Sequence, residues 1–308
     1  YNACLAAAPL LERVLGVPVQ PITAYAFAHG AAAGAADLVV AVTQGGESTN
    51  TIDALDRARE LGIDSCVVTE ETGSTCARIA RVVMPLLCGP ERLAAKTKGY
   101  SASVLALHLL ALEAGRSSGR LDPAGYDDHR ARLATTIGNL PRVVEAGVAW
   151  FARDRDALTG LEQCYLLAYG EHLGTVAEGA LKCLETVRRG YVPYELEEFL
   201  HGPLRSLRDG VHTIVLASPA QPGFARARTL YAALAAHTPR VSLIGGDADS
   251  ADGRVLGGCF VDDPDFSPLE YEIPLQLLAH LTCEATGIDP EVRLFADIKA
   301  ALPTKARV

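Results

Sequence analysis

The sequence lacks the features that would place it in a membrane or on a nucleic acid. Among its 308 residues, no stretch approaches eighteen consecutive apolar residues, which is about the length that a membrane-spanning helix needs. Lysine and arginine number 28 against 37 aspartates and glutamates, whereas binding to a phosphate backbone depends on an excess of cationic side chains. We therefore expect neither a membrane nor a nucleic acid as a partner.

Metal-ligand and disulfide patterns are also missing. The eight cysteines form no C-x-x-C pair and no Cys/His cluster at metal spacing. Most of them lie in apolar runs, where a thiol behaves as a small hydrophobic side chain in a reducing compartment. The first residues show no basic segment followed by an apolar core, the pattern of a signal peptide. These absences predict a cytoplasmic protein without a metal site.

What the sequence does contain is an alternation of strands and helices that runs twice along the chain. Residues 37–43 (DLVVAVT) are a continuous apolar run, typical of a strand buried in a parallel sheet. Polar residues 116–128, with Gly and Pro, favour a linker. Further strands are predicted at 65–69, 82–87, 163–168, 211–218 and 241–244, and longer helices at 97–114 and 268–286.

Two rounds of this alternation predict an α/β protein with two domains, 1–125 and 126–308, each of ordinary domain size. We expect two tandem doubly wound parallel sheets of the flavodoxin-like, three-layer α/β/α type.

The residues that follow the first strand, Gln44 to Thr51, form a Gly-containing turn rich in hydroxyl groups before a helix. Free N–H groups and the helix dipole make such a turn a binding site for an anion. A tight turn with a Ser or Thr cap has the same pattern, so both interpretations stay open.

A second cluster lies in EGALKCLE (178–185). On a helix, Glu178, Lys182 and Glu185 share one face, and apolar flanks indicate that this helix is packed. Carboxylates held against a packed surface are candidates for proton transfer. The alternative is structural: Thr175 and Glu178 would form a capping box, and Lys182 would pair with Glu185 at the surface.

EGALKCLE and LHGPLRSL (200–207) resemble the second sugar-isomerase (SIS) domain in the isomerase half of glutamine–fructose-6-phosphate amidotransferase and in the fructosamine-6-phosphate deglycases. The words PYELEEFLHGP are similar to the deglycase branch. The resemblance implies that Glu185 moves a proton between C1 and C2 and that His201 opens the sugar ring. It also implies a homodimer with shared active sites, in which His201 reaches the pocket of the other subunit.

TQGGES (43–48) resembles the SIS phosphate loop, Ser-Gln-Ser-Gly-Glu-Thr, with Gly45 in place of a phosphate-binding hydroxyl. GPERLAAKTKGY (89–100) resembles the family's GPEIGVASTKAF, and we expect Lys98 to be structural or sugar-adjacent. The family turn before Tyr1-Asn2 is not present, so we expect a first strand and a lead-in helix to precede these residues. The resemblance implies a substrate or phosphate site made of Thr43, Gln44, Gly46, Ser48, Thr97 and Glu178.

The tail after GIDPEV carries two lysines that match the family's Schiff-base lysine. Lys305 is the assignment and Lys299 is the competitor, and both would be solvated tail lysines in the structural alternative. Lys305 is favoured because Pro303 stiffens the turn before it.

The resemblance therefore implies an isomerase, deaminase or deglycase that acts at C1–C2 of an amino- or keto-hexose 6-phosphate through Schiff-base or enediol chemistry, without an organic cofactor. Because these 308 residues contain no glutaminase half, glutamine-dependent amination is less favoured. The alternatives are an ammonia-dependent enzyme similar to glucosamine-6-phosphate synthase and a non-catalytic regulator that binds a sugar phosphate.

Overall fold

The computed structural model describes residues 1–30, 36–93, 95–246, 252–292 and 294–306. The strands are β1 (Leu38–Val42), β2 (Asp64–Thr69), β3 (Val82–Pro85), β4 (Gln163–Ala168), β5 (Gly190–Glu195), β6 (Val211–Leu216), β7 (Val241–Ile244) and β8 (Val255–Leu256). The helices are α1 (Asn2–Leu15), α2 (Ala24–His29), α3 (Thr49–Glu60), α4 (Thr75–Ile79), α5 (Lys98–Ser117), α6 (Pro123–Arg153), α7 (Arg155–Thr159), α8 (His172–Thr186), α9 (Leu196–His201), α10 (Phe224–His237), α11 (Pro268–Thr286) and α12 (Ala296–Ala301).

The chain forms two compact units that are interleaved in sequence. Unit 1 contains Tyr1, Val19–Leu107 and Glu291–Val308, and unit 2 contains Asn2–Pro18 and His108–Pro290. The units therefore differ from a division between residues 125 and 126, a position that lies inside α6.

The linker predicted at 116–128 is wrong for most of its length. Helix α5 continues to Ser117, and α6 already begins at Pro123. Asp122 is the reason, because its carboxylate accepts a hydrogen bond from the N–H of Gly125 (2.7 Å) and caps the new helix. Only residues 118–122 connect the two helices.

Unit 1 is built on the parallel sheet β1-β2-β3, in which Leu38 lies opposite Asp64 and Cys66 opposite Val82. Buried Leu55 of α3 packs against Ala41 of β1 and Val67 of β2. Because the strands are parallel, their carboxyl ends lie at one edge of the sheet, where the loop after β1 begins.

Unit 2 is built on the parallel sheet β5-β4-β6-β7-β8. Numbered along the chain, this order is 2-1-3-4-5, the doubly wound arrangement. Alternate residues of β4 enter two separate hydrophobic clusters: Cys164 and Leu166 in one, Tyr165 and Leu167 in the other. Because successive side chains of a strand point to opposite faces, the sheet of unit 2 has a packed layer on each side.

The predicted strands and the long helix 268–286 are confirmed to within two residues at each end. Strand β5 was missed, because Gly190 and Pro193 interrupt its apolar pattern. Proline is tolerated there since β5 lies at the edge of the sheet formed by the described residues, where it pairs with β4. Within the described ranges, none of the helices combines the length and apolar character needed to cross a bilayer.

Candidate active site

The loop from Thr43 to Ser48 leaves β1 at the carboxyl edge of the unit 1 sheet. The Thr43 N–H donates to the carbonyl of Val68 (3.0 Å), and the Thr43 hydroxyl accepts from the N–H of Gly46 (3.3 Å). Gly46 has φ +65°, and a Cβ there would lie 1.9 Å from Ser74 Oγ. Gly46 is thus required by the backbone, since only glycine lets the loop approach the turn after β2.

Ser48 is the N-cap residue of α3, and its side chain makes no capping hydrogen bond. Within the part of the chain that the structure describes, its hydroxyl has no hydrogen-bond partner, and it lies at the positive end of a twelve-residue helix, where an anion is stabilised.

The C-terminal tail lies along this loop as a short antiparallel bridge between Ser48 and Lys305. Because directly opposite residues of an antiparallel pair project to the same face, the Lys305 side chain leaves the backbone beside that of Ser48. Two backbone hydrogen bonds hold the bridge: Thr49 N–H to Thr304 O (3.1 Å) and Ala306 N–H to Glu47 O (2.9 Å).

Lys305 is exposed, and its ammonium has no ion pair with any part of the chain that the structure describes. Lys299 lies in α12, and its side chain is outside the described residues. The residue that pairs with the loop is thus Lys305, six positions after the alternative, Lys299.

Gln44 and Thr97 are both bound to Glu91, which lies in the loop after β3. Gln44 Nε2 donates to Glu91 Oε2 (3.2 Å), and the Thr97 N–H and hydroxyl donate to Glu91 Oε1 (2.6 and 3.4 Å). The Thr97 hydroxyl, predicted to contact the substrate, is therefore bound to Glu91 in this structure.

Gly45 occupies the tip of the loop. It is exposed, and a Cβ built on it would meet nothing within 4 Å. Packing therefore does not require glycine at this position, and the space beside it is open.

In unit 2, α8 brings the three predicted ionisable residues together. Lys182 Nζ lies 2.7 Å from Glu185 Oε2 and 3.4 Å from Glu178 Oε1. The side chain of Lys182 is 4% exposed and that of Glu185 is 39% exposed. Glu178 also accepts a hydrogen bond from Asn2 Nδ2 of α1 (2.9 Å).

The capping-box alternative for Glu178 is wrong. Helix α8 begins at His172, so Thr175 lies within the helix and is not its N-cap. Glu178 fixes Lys182, and Lys182 in turn holds the partly exposed carboxylate of Glu185. The Lys182–Glu185 pair is not a simple surface pair, because its cation is buried.

His201 is the last residue of α9, before Gly202 and a short 3-10 turn at Pro203–Ser206. Its side chain is exposed. The described contacts include no hydrogen bond or ion pair between His201 and Glu185.

Comparisons with known proteins give the family of this chain. The SIS domain family profile matches residues 1–113. A solved structure from Salmonella typhimurium LT2, described as that of a sugar-binding protein, shares 33% identity and a TM-score of 0.82, covering 92% of this chain and 85% of the other. The chain belongs to the SIS domain family.

Two further relatives extend the comparison. A structure from Clostridium difficile 630, described as a phosphosugar isomerase, has a TM-score of 0.90 and 26% identity, covering 99% of this chain and 87% of the other. Glutamine–fructose-6-phosphate aminotransferase of Symbiobacterium thermophilum is 32% identical over 295 residues, 91% of this chain and 46% of that protein. This SIS chain thus spans about half the length of the curated relatives it matches and is phosphosugar isomerase-like.

Proposed function

We propose that this SIS protein is an enzyme acting at C1–C2 of a hexose 6-phosphate, as an isomerase, deaminase or deglycase. The bridge between Ser48 and Lys305 is the observation that carries the proposal. It supplies an anion-binding loop and an exposed primary amine side by side, which are the two groups needed to hold a sugar phosphate and to attack its carbonyl.

The loop after β1 is the proposed phosphate site. The Ser48 hydroxyl and the amino end of α3 attract the phosphate, while Thr43 and Gly46 fix the shape of the loop. Gln44 contributes through its backbone, whose position is fixed by the hydrogen bond between its side chain and Glu91.

Lys305 is the proposed nucleophile. Its neutral amine adds to the open-chain carbonyl and, with loss of water, gives a Schiff base. The iminium withdraws electrons from the neighbouring carbon, which makes its proton easier to remove.

Glu185 is the proposed base for that proton and returns it to the adjacent carbon. The contact with Lys182 gives its carboxylate a defined orientation while leaving it partly exposed. We assign ring opening to His201, supplied by the second subunit of a homodimer, in keeping with its exposed position.

Borohydride reduction in the presence of fructose 6-phosphate or glucosamine 6-phosphate, followed by peptide mass mapping, tests the nucleophile. The expected adduct is on Lys305, and Lys305→Met should prevent it. An adduct on Lys299 would move the assignment, and turnover without any adduct would indicate an enediol route. Binding without turnover for every hexose phosphate tried would indicate a regulatory protein.

The shared site is tested by mixing two inactive variants, His201→Ala and Glu185→Gln. Heterodimers should regain part of the activity, because one of the two sites then contains an intact copy of both residues. Purified heterodimers that stay inactive would show that each site uses a single chain.

A further inference from the structure

The carboxylate of Glu91 is surrounded by donors from two separate parts of unit 1. Four of the five donor groups lie at the start of α5, and one comes from the loop after β1. They are Thr97 N (2.6 Å), Thr97 Oγ1 (3.4 Å), Lys98 N (2.8 Å), Gly99 N (3.0 Å) and Gln44 Nε2 (3.2 Å). Glu91 therefore occupies the amino end of α5 and reaches the phosphate loop from there.

Gln44 is fixed at its backbone as well as at its side chain. Its carbonyl accepts from the Thr69 hydroxyl (3.1 Å) and from the N–H of Glu70 (3.0 Å). With the amide of its side chain bound to Glu91, Gln44 has little freedom, and the residues that follow it up to Ser48 start from a fixed position.

Gly99 leaves the space that the Gln44 side chain fills. A Cβ on Gly99 would lie 2.6 Å from both Cδ and Oε1 of Gln44. Any larger residue at position 99 must therefore displace Gln44 from Glu91, although the Gly99 N–H bond to Glu91 remains available.

The loop that carries Glu91 is held in place by two lysines. Lys96 Nζ donates to the carbonyl of Glu91 (2.8 Å), and Lys98 Nζ donates to that of Pro90 (2.9 Å). Although partial burial raises the pKa of Glu91, hydrogen bonds from the N–H groups of Thr97 and Gly99 outweigh it, and the pKa is lowered. The carboxylate is thus the ionised acceptor at neutral pH.

We propose that Glu91 is a positioning residue that sets the affinity of the loop from Thr43 to Ser48 for phosphate esters, acting through Gln44. Gly99 is required because it makes room for this contact. The inference rests on the proposed function only in that the loop binds a sugar phosphate; it does not depend on the chemistry at C1–C2.

The test measures binding of glucitol 6-phosphate, which has no carbonyl, by calorimetry with the full chain. Glu91→Gln replaces the carboxylate by an amide, whose N–H groups face the N–H donors that bind Glu91. Gly99→Ala adds a Cβ that displaces the Gln44 side chain from Glu91. Each should weaken binding about 10-fold, the effect of losing a hydrogen bond to a charged group. Gly73→Ala is the matched control, since a Cβ there meets nothing within 4 Å.

A double-mutant cycle separates positioning from general damage to the fold. In the Gln44→Ala background, Glu91→Gln and Gly99→Ala should each change the affinity less than 2-fold, because the residue they act through is gone. Effects that add in full would overturn the proposal, as would wild-type affinity in both single variants. Should Glu91→Gln fail to fold, Gly99→Ala decides by itself. Failure of the wild-type protein to bind glucitol 6-phosphate would contradict the proposed function.

Discussion

The turns that follow β1 and β4 start from equivalent places, since each follows the first strand of its own sheet and precedes a helix. The turn after β1 is polar, with Gly45 exposed and the Ser48 hydroxyl outside any capping bond. After β4, Gly170 is also exposed, but the two residues that follow it are packed: Glu171 is 5% exposed and His172 is 2% exposed. The first turn thus leaves a hydroxyl outside any capping bond, while the residues after β4 use their polar groups for internal bonds.

The internal bonds at the unit 2 edge are extensive. Gln221 donates to Glu171, His172 contacts Ser267 Oγ (3.2 Å), and the Tyr169 hydroxyl donates to Glu197 (2.6 Å). Burial raises the pKa of Glu171 and lowers that of His172 to about 3.

Shifted pKa values are often used to find active sites. At this edge they accompany packing, because Glu171 and His172 are buried and each is bonded to a neighbouring side chain of unit 2. The comparison teaches that the two parallel sheets offer equivalent places for a site, and that the side chains decide whether each place is open.

The largest expected effect separates a catalytic carboxylate from a packed one. Glu185→Gln should reduce turnover by about 10²- to 10⁴-fold, the usual contribution of a general base, while sugar binding is retained. Glu171→Gln should leave turnover within about 3-fold of wild type, since a packed residue outside the site changes turnover little. Deuterium exchange at C1 or C2, followed by NMR, measures both. Equal losses of turnover in Glu185→Gln and Glu171→Gln would contradict the assignment of Glu185 as the catalytic carboxylate.

The buried cation of Lys182 contacts both the proposed base Glu185 and the buried Glu178, so a variant of Lys182 tests how much this cation stabilises unit 2. Lys182→Met leaves Glu178 without its cation and should lower the free energy of unfolding by about 3–5 kcal/mol. Most of this comes from Glu178, because Glu185 is more exposed and better solvated. Urea denaturation measures the loss, and adding Glu178→Gln should recover much of it. A loss below about 1 kcal/mol would place the triad among ordinary surface pairs.

Three buried histidines of unit 2 should make its packed interior sensitive to acid. Burial lowers the pKa of His108 and His212 to about 4 and that of His172 to about 3. Between about pH 6.5 and 4 the unfolded chain therefore binds more protons than the folded chain. The free energy of unfolding thus decreases as the pH is lowered, by about 1.4 kcal/mol per pH unit for each histidine.

The carboxylates of Glu171, Asp262 and Glu270 have pKa values that desolvation raises, and they act in the opposite direction. A difference between variants is therefore the informative measurement. His108 is suited to it because neither ring nitrogen has a hydrogen-bond partner among the described residues. His108→Leu should reduce the slope between pH 6 and 4.5 by about one proton, and an unchanged slope would contradict the assignment.

The smallest expected effect concerns the open space at the tip of the unit 1 loop. Gly45→Ser adds a hydroxyl where nothing lies within 4 Å, and one more neutral hydrogen bond should tighten phosphate binding by about 1 kcal/mol, roughly 5-fold. Gly45→Ala is the control, with a Cβ and no hydroxyl. Calorimetry with glucitol 6-phosphate distinguishes the two variants, and equal affinities would mean that the open space does not face the phosphate.

Local patterns predicted most of the fold. Apolar runs such as residues 38–42 identify buried strands, because a strand covered on both faces has no polar alternation. Strand β5 has no such run, and it is stabilised by pairing with β4, a contact distant in sequence.

In the candidate site, too, some features follow from local spacing and others depend on contacts between residues distant in sequence. The periodicity of α8 was sufficient to place Glu178, Lys182 and Glu185 on one face. The contact of Glu178 with Asn2 was not predictable by spacing, because 176 residues separate the partners.

By itself, the sequence determined the α/β class, the turn after β1 and the residue types available for catalysis, because these depend on neighbours within a few positions. The tertiary structure alone decided that Lys305 lies beside Ser48, that Glu91 holds Gln44 and that Glu171 and His172 after β4 are buried. Each of these contacts joins segments that are separate in sequence. Its formation depends on the free energy of packing the whole unit, which no local pattern records.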